Sequence, residues 1–377
     1  MAGRFDASRV AAKVASTLSR LRGTPRPPRP QDRLHALYLS HQAPIFASLG
    51  LTRPETRFCP SEDVRGEHEI HLVREKTGFA YLYNPRRAEH DQGHFRNATA
   101  YLYWLSQSDP NVARISCDIS DGGWPGFARF TYSTRTPEKV LLPDFHFFRD
   151  HGYADIDAVA DTAPDWDSRG DTIYWRGLNN SIGRFSVDPQ DIDKPWVMHR
   201  MRFALRARAI PDIDVRFVSN HGLRQEAQCV EAGLVGPFRP VADWAGDKFA
   251  FDIDGFTNAW SNLMQRLRLG CCVLKIDSEH GFRQWYYDKL VPFETHVPVR
   301  ADFADLEEKI DWVRSHPREA RAIAAHGQAM ARAMTFESET RFAAQAIAEH
   351  WDRSDGPQSP AGAEAMAPVA PGSARDG

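Results

Sequence analysis

The sequence predicts an α/β protein whose strands lie in parallel sheets, and two observations point there. Over residues 248–299 an apolar run ends at Asp252, Asp254 and Gly255. A helix-patterned stretch then fills 260–269, Gly270 breaks it, and 271–276 reads as a buried strand before a polar turn and a second, aromatic-rich helix. Strand, helix, strand, helix implies crossover connections, a parallel sheet, and carboxyl-end loops that carry a ligand. The second observation is bulk: 377 residues, 42% hydrophobic and 26% charged, are enough for two core-bearing domains of a soluble globular protein.

In chain order, Arg4, Arg9, Lys13, Arg20 and Arg22 interleave with Phe5, Val10, Val14, Leu18 and Leu21 at helix-compatible spacing. Such a basic amphipathic segment suits an anionic membrane surface; the bland alternative is a solvated helix ahead of the Pro-rich stretch 24–30. Residues 1–34 are read as this segment and its linker. Residues 35–168 are read as a first α/β domain, with a helix over 98–105 and a strand over 113–119 running into the turn Ser120-Asp121-Gly122-Gly123. Residues 169–351 are read as a second α/β domain, with strands over 172–176, 213–219, 249–252 and 271–276, a helix from about 305 and an Ala-rich helix over 317–334. Residues 352–377, rich in Pro, Ala, Gly and Ser, read as a disordered tail without a catalytic part.

Composition excludes some functions. A formal charge of -3 argues against a nucleic-acid binder, which needs a broad basic face. Five cysteines, Cys59, Cys117, Cys229, Cys271 and Cys272, are odd in number and lack framework spacing, so they read as reduced core residues of a cytoplasmic protein. No apolar run approaches the roughly 20 residues of a membrane-spanning helix, and no secretory signal stands at the start. The expectation is a cytoplasmic protein, peripheral at most at the inner face of the membrane.

An ordered set of motifs adds a resemblance. Ser120-Asp121-Gly122, Trp175-Arg176-Gly177, Asp254-Gly255, the helix containing Ser261, Gly270 before Val273-Leu274-Lys275, Trp285-Tyr286, Leu290-Val291-Pro292 and His296-Val297-Pro298-Val299 follow one another. Together, over roughly residues 90 to 345, they resemble glycosyltransferase family 90, which includes lipopolysaccharide-modifying enzymes, capsule-associated proteins and protein O-glucosyltransferases. The resemblance implies a GT-B-like fold, two Rossmann-like domains facing a central cleft. It also implies inverting transfer from a UDP-sugar to a saccharide or lipid-linked glycan of a bacterial surface, with lipopolysaccharide core as the leading acceptor and no metal or other cofactor.

Such a transfer needs a base for the acceptor proton and positive charge or N–H groups for the departing diphosphate. Asp121, on a Gly-rich turn after a strand, is the candidate base; read without the resemblance, Asp121-Gly122 is first of all a turn. Asp118, three residues earlier, falls on the opposite face by period two. Arg176, followed by Gly177, is the leading diphosphate ligand, because a guanidinium grips two oxygens together; an ion pair at a strand end is its alternative. The helix start at 258–261, with Ser261, offers free N–H groups. Asn262 stands where many family members carry an arginine, and Arg266, one turn later, is its candidate substitute.

Asp254 and Gly255 are assigned to the donor pocket. Asp252 and Asp254 share a face and could instead bind Mg²⁺ or Mn²⁺ in a metal-dependent transferase. The loss at Asn262 motivates another reading, a non-catalytic glycan- or nucleotide-binding protein. The histidines at 68, 71, 90, 94, 146 and 151 read as surface or hydrogen-bonded residues rather than metal ligands.

Overall fold

The computed structural model describes residues 30–66, 68–84, 94–123, 126–219 and 222–351; the amphipathic segment before residue 30 and the tail after 351 lie outside them. Two six-stranded sheets organise the described chain. The first contains β1 (Thr56–Pro60), β2 (Glu69–Arg74), β3 (Phe79–Tyr83), β4 (Arg114–Asp118), β5 (Phe130–Thr131) and β6 (Val140–Leu141) in the order β1-β3-β2-β4-β5-β6. The second contains β7 (Gly170–Gly177), β8 (Ile213–Val218), β9 (Val235–Gly236), β10 (Asp247–Asp252), β11 (Cys272–Ile276) and β12 (Val297–Val299) in the order β12-β11-β10-β7-β8-β9.

The second sheet is parallel throughout, as the strand–helix alternation requires. The first is mixed, because β2 runs antiparallel to both β3 and β4. Only residues 75–78 join β2 to β3, too few for a crossover, and Gly78 at φ +88 closes the turn. The N-terminal half therefore departs from the expected second parallel layer.

Period two explains how the second sheet packs. Phe249 and Phe251 of β10 and Cys272, Leu274 and Ile276 of β11 enter one core with the helix His199–Ala207. Ala250 and Val273 face the other way, into a larger core shared with the first sheet. By the same alternation Asp252 and Lys275, which are register partners, point toward the N-terminal half.

The helix Ser261–Arg268 ends as its sequence dictates. Gly270, at φ +75, donates to the Leu267 carbonyl at 2.9 Å, and Cys271 to the Arg266 carbonyl at 3.1 Å, a Schellman closure. The expected aromatic helix near 285 is corrected to a single 3-10 turn, Tyr287–Lys289. Arg283 gives both backbone groups to Thr134 of the N-terminal half, at 2.8 and 3.1 Å, so that stretch cannot begin a helix there.

Candidate active site

The turn carrying Asp121 is built by its neighbours. Asp118, at the end of β4, accepts through Oδ1 from the Ser120 amide at 2.9 Å and the Ser120 hydroxyl at 2.6 Å; Ser120 Oγ accepts from the Gly122 amide at 3.0 Å. Gly122 sits at φ +79, and a Cβ there would lie 1.9 Å from the Ser133 carbonyl oxygen. Asp118 thus shapes the turn that presents Asp121.

Asp121 is half-buried, and burial raises its carboxyl above the usual range, assisted by Asp118 and opposed by His94, His146 and His68. Histidines from three separate segments thus stand near enough to act on this carboxylate electrostatically. The rings of His68 and His94 meet edge-on at 5.5 Å, while His146 approaches Trp260 at 6.0 Å. Trp260 adopts φ +55 at the start of the helix Ser261–Arg268, so Asp121 shares His146 as a neighbour with that helix end. His146 is held below its usual value by burial, and its Nδ1 is buried without a hydrogen-bond partner. Sequence spacing could not find this group, because 68, 94 and 146 have no common period.

Across from the turn lies the loop after β10. A Cβ on Gly123 would stand 3.2 Å from Thr257 Cγ2. Ser133 donates to Asn258 Oδ1, and Asn258 donates in turn to the Tyr287 hydroxyl at 3.2 Å. Asp121 and the Asp254–Gly255 loop, far apart in the chain, are thereby brought to one place.

At this edge the charges are buried and incompletely paired. Asp252 is 1% exposed and Asp254 5%; neither carboxylate oxygen of Asp252 has a hydrogen-bond partner, and Ser278 is the hydroxyl that acts on Asp254. Lys275 Nζ stands 3.8 Å from Asp252 and 4.9 Å from the Tyr287 ring centre. Burial pushes Asp254 up to about 6, with Lys275 opposing. A hollow of about 10 Å³, bordered by Ser181, Asp254, Gly255, Thr257 and Ser278, has room for a water-sized species. Among the described residues no group of three or more His, Cys, Asp or Glu is arranged to hold a metal ion.

Arg200, which the sequence reading passed over, fastens this loop. Its guanidinium donates to the carbonyls of Asp254 (2.9 Å), Ile253 (3.0 Å) and Leu178 (3.0 Å) and to Asn180 Oδ1 (2.6 Å), and lies over the Trp175 ring. Gly255 is needed beneath it: a Cβ would fall 3.2 Å from Arg200 Nη2. Ser181 accepts from the Arg200 amide, and Asn179 is spent on Arg224.

Arg176 is placed otherwise than expected. It pairs with Asp214 at 2.5 Å and donates to the carbonyls of Trp175, Asp214 and Pro237, so its donors are consumed inside the sheet; Gly177 lies under the Trp175 ring. The alternative of an ion pair at a strand end describes Arg176 as it stands here, and a diphosphate role would require it to exchange these bonds. Arg266 is 5% exposed and stacked over Trp244 at 4.3 Å, with Nε unpartnered. It is an interior cation rather than an open anion grip. Ser261 is half-buried at the first turn of its helix.

The fold and site define an α/β protein with a carboxylate and a polar, charge-lined loop meeting at the carboxyl edge of a parallel sheet. Residues 200–342 match the model of glycosyl transferase family 90, and over that segment the resemblance drawn from the motifs is shown. Protein O-glucosyltransferase 2 of Danio rerio is 28% identical over 174 residues, 45% of this chain and 30% of that protein. Uncharacterized protein 035R of Invertebrate iridescent virus 3 is 38% identical over 77 residues, 20% of this chain and 7% of that one. The chain thus spans less than a third of the length of these curated relatives. The structure of Anabaena Alr3699/HepE in complex with UDP-glucose aligns with 12% identity and a TM-score of 0.33, covering 52% of this chain and 53% of that one.

Proposed function

We propose that the protein is an inverting glycosyltransferase that moves a sugar from a UDP-sugar to a hydroxyl, with Asp121 as the base. The observation that carries this reading is the placement of Asp121: a half-buried carboxylate on a turn built by Asp118 and Ser120, set against the carboxyl-edge loop of a sheet that lies largely within the family 90 segment. In the step, the acceptor oxygen bonds to the anomeric carbon as the bond from that carbon to the diphosphate oxygen breaks. The acceptor proton passes to Asp121, and the electron pair leaves with UDP. A carboxylate raised by burial is the stronger base.

Asp254, Gly255 and Ser261 border the donor side in this reading. The first turn of the helix Ser261–Arg268 and the incompletely paired Lys275 supply positive potential toward the diphosphate. Arg266 adds to it through the interior rather than by contact. A nucleotide sugar is far larger than the present hollow, so binding requires the loops at 120–123 and 254–260 to part.

The name of the Danio rerio relative makes UDP-glucose the first donor to try and a protein hydroxyl a second acceptor class. The bacterial surface glycan, with lipopolysaccharide core foremost, is the acceptor that the motif resemblance supports, reached from the cytoplasmic face with residues 1–34 at the membrane. Among the described residues no helix is long and apolar enough to cross a membrane. The test is turnover of a panel of UDP-sugars with soluble oligosaccharide and protein acceptors, beside thermal melts with each donor. Release of UDP and a glycosylated product support the reading. Neither binding nor release with any UDP-sugar sinks it, and binding without release leaves the non-catalytic alternative standing.

A further inference from the structure

A cavity of about 670 Å³ opens at the amino edge of the second sheet, where Asp171, Lys248 and Phe249 begin β7 and β10. Lys248 and Asp254 are six positions apart, so this mouth and the candidate active site are separated by about 20 Å of extended chain. Its size is that of a ligand site, and nothing in the transfer reaction uses it.

The lining has a consistent chemistry. Trp166, half-buried, meets the buried Phe249 edge-on at 6.0 Å and gives the cavity an aromatic wall. Around it stand acceptor and donor side by side: Asp171 with Lys248 at 2.7 Å, and Asp167 with Arg321 at 3.3 Å. A sugar hydroxyl both donates and accepts, and neighbouring hydroxyls need both partners close together. Asp171 and Asp167 are 79% and 83% exposed, so these pairs yield to a ligand at little cost. Arg318, exposed on the same rim, makes no ion pair or side-chain hydrogen bond among the described residues and is open to an anionic substituent, while Arg314 beside it donates to the Pro211 and Asp212 carbonyls. The lining holds three carboxylates, Asp212 being the third, against four cations, and the single positive charge in excess suits one carboxylate better than a multiply charged phosphate.

We infer that this cavity is a second saccharide site, separate from the candidate active site, which takes an oligosaccharide bearing a carboxylate. The sugar ring lies against Trp166, its hydroxyls exchange bonds with the Asp–Lys and Asp–Arg pairs, and Arg318 meets the carboxylate. The inference stands whether or not the protein transfers sugars.

The experiment titrates the full chain with hyaluronan hexasaccharide and, separately, maltohexaose, with and without saturating UDP, followed by calorimetry and tryptophan fluorescence. The acidic sugar binds, UDP does not displace it, and Asp171→Asn weakens it about tenfold, the scale of one hydrogen bond to a charged group. Arg318→Ala removes the preference for the acidic over the neutral sugar. Trp166→Ala abolishes the fluorescence change; should that variant melt early, the two exposed substitutions carry the test. Absence of binding by either sugar, displacement by UDP, or equal affinity in Asp171→Asn and wild type overturns the site. Equal affinity for the two sugars overturns the assigned carboxylate.

Discussion

Asp121 and Asp254 show how burial gives two carboxyl groups of one site different tests. Asp121→Asn keeps the turn, whose bonds run through Asp118, Ser120 and Gly122. It should retain the fold and UDP binding and lose transfer by about a hundredfold or more; near wild-type turnover removes Asp121 from the mechanism. Because a base acts ionised and this carboxyl is raised, the acid limb of kcat/KM should lie above the ordinary aspartate range. A limb at or below that range contradicts the burial argument. Asp254, raised to about 6, binds protons more tightly in the folded state than in the unfolded one. Wild-type stability should therefore fall from about pH 4 to about pH 6 and then level, an effect of about 2 to 3 kcal/mol. Asp254→Asn cannot ionise, so denaturant melts should show it gaining on wild type across that window, whereas a constant offset between pH 4 and pH 7 refutes the assignment. Fixed protein charge in place of a bound cation further predicts turnover that survives EDTA; loss restored by Mn²⁺ would put Asp252 and Asp254 at the centre.

Among the elements, those whose ends are written in local chemistry came out as expected. Gly270 closes the helix Ser261–Arg268, Pro317 opens Pro317–Ala333, and the apolar runs of β7, β8, β10 and β11 form strands within a residue or two of their expected bounds. The stretch after 282 reads as a helix by its aromatic content, yet its backbone is claimed by Thr134. β1 and β2 were missed because Arg57, His71 and Arg74 interrupt their apolar pattern, and Arg57 and His71 find their partners, Glu75 and Glu69, in the folded sheet; β3, an unbroken apolar run, was missed although its pattern is intact. The loop fastening makes an element-scale prediction. Arg200→Lys keeps one positive charge but cannot serve three carbonyls and Asn180 in a fixed fork. It should cost about 2 kcal/mol or more by leaving buried carbonyls unpaired and should raise the hydrogen exchange of residues 253–260 above that of the β11 core; unaltered exchange there would show that the loop holds itself.

Over the whole molecule the two halves are not independent. One buried cluster runs from Tyr101 and Trp104 of the first half to Trp285, Phe336 and Ile347 of the second, and the final helix, Phe336–His350, packs against Ala98–Gln107. Glu339 accepts from the Trp285 indole at 2.9 Å, and Gln284 donates to Asp144 across the halves at 2.8 Å. Truncation before Phe336 should therefore expose Trp104 and Phe148 and destabilise the first half, not the second alone. Denaturation of the intact chain, followed by tryptophan fluorescence and by far-UV dichroism, should give coincident single transitions; two separated transitions would mean that the shared core does not couple the halves.

The sequence by itself determined the class of fold, the parallel order of strand and helix in the second half, and the motifs that resemble family 90, through which Asp121 and Asp254 are proposed as site residues. These depend on local periodicity, on glycine at positive φ and on short motifs, all read along the chain. Tertiary structure alone decided that Asp118 shapes the turn of Asp121, that His68, His94 and His146 act on its charge, that Arg200 fastens the Asp254 loop, and that Arg176 pairs with Asp214. A guanidinium at a strand end is equally able to meet a ligand or a neighbouring carboxylate. Which of the two it meets depends on the strand beside it, here β8 with Asp214, and that adjacency has no signature in the sequence of β7.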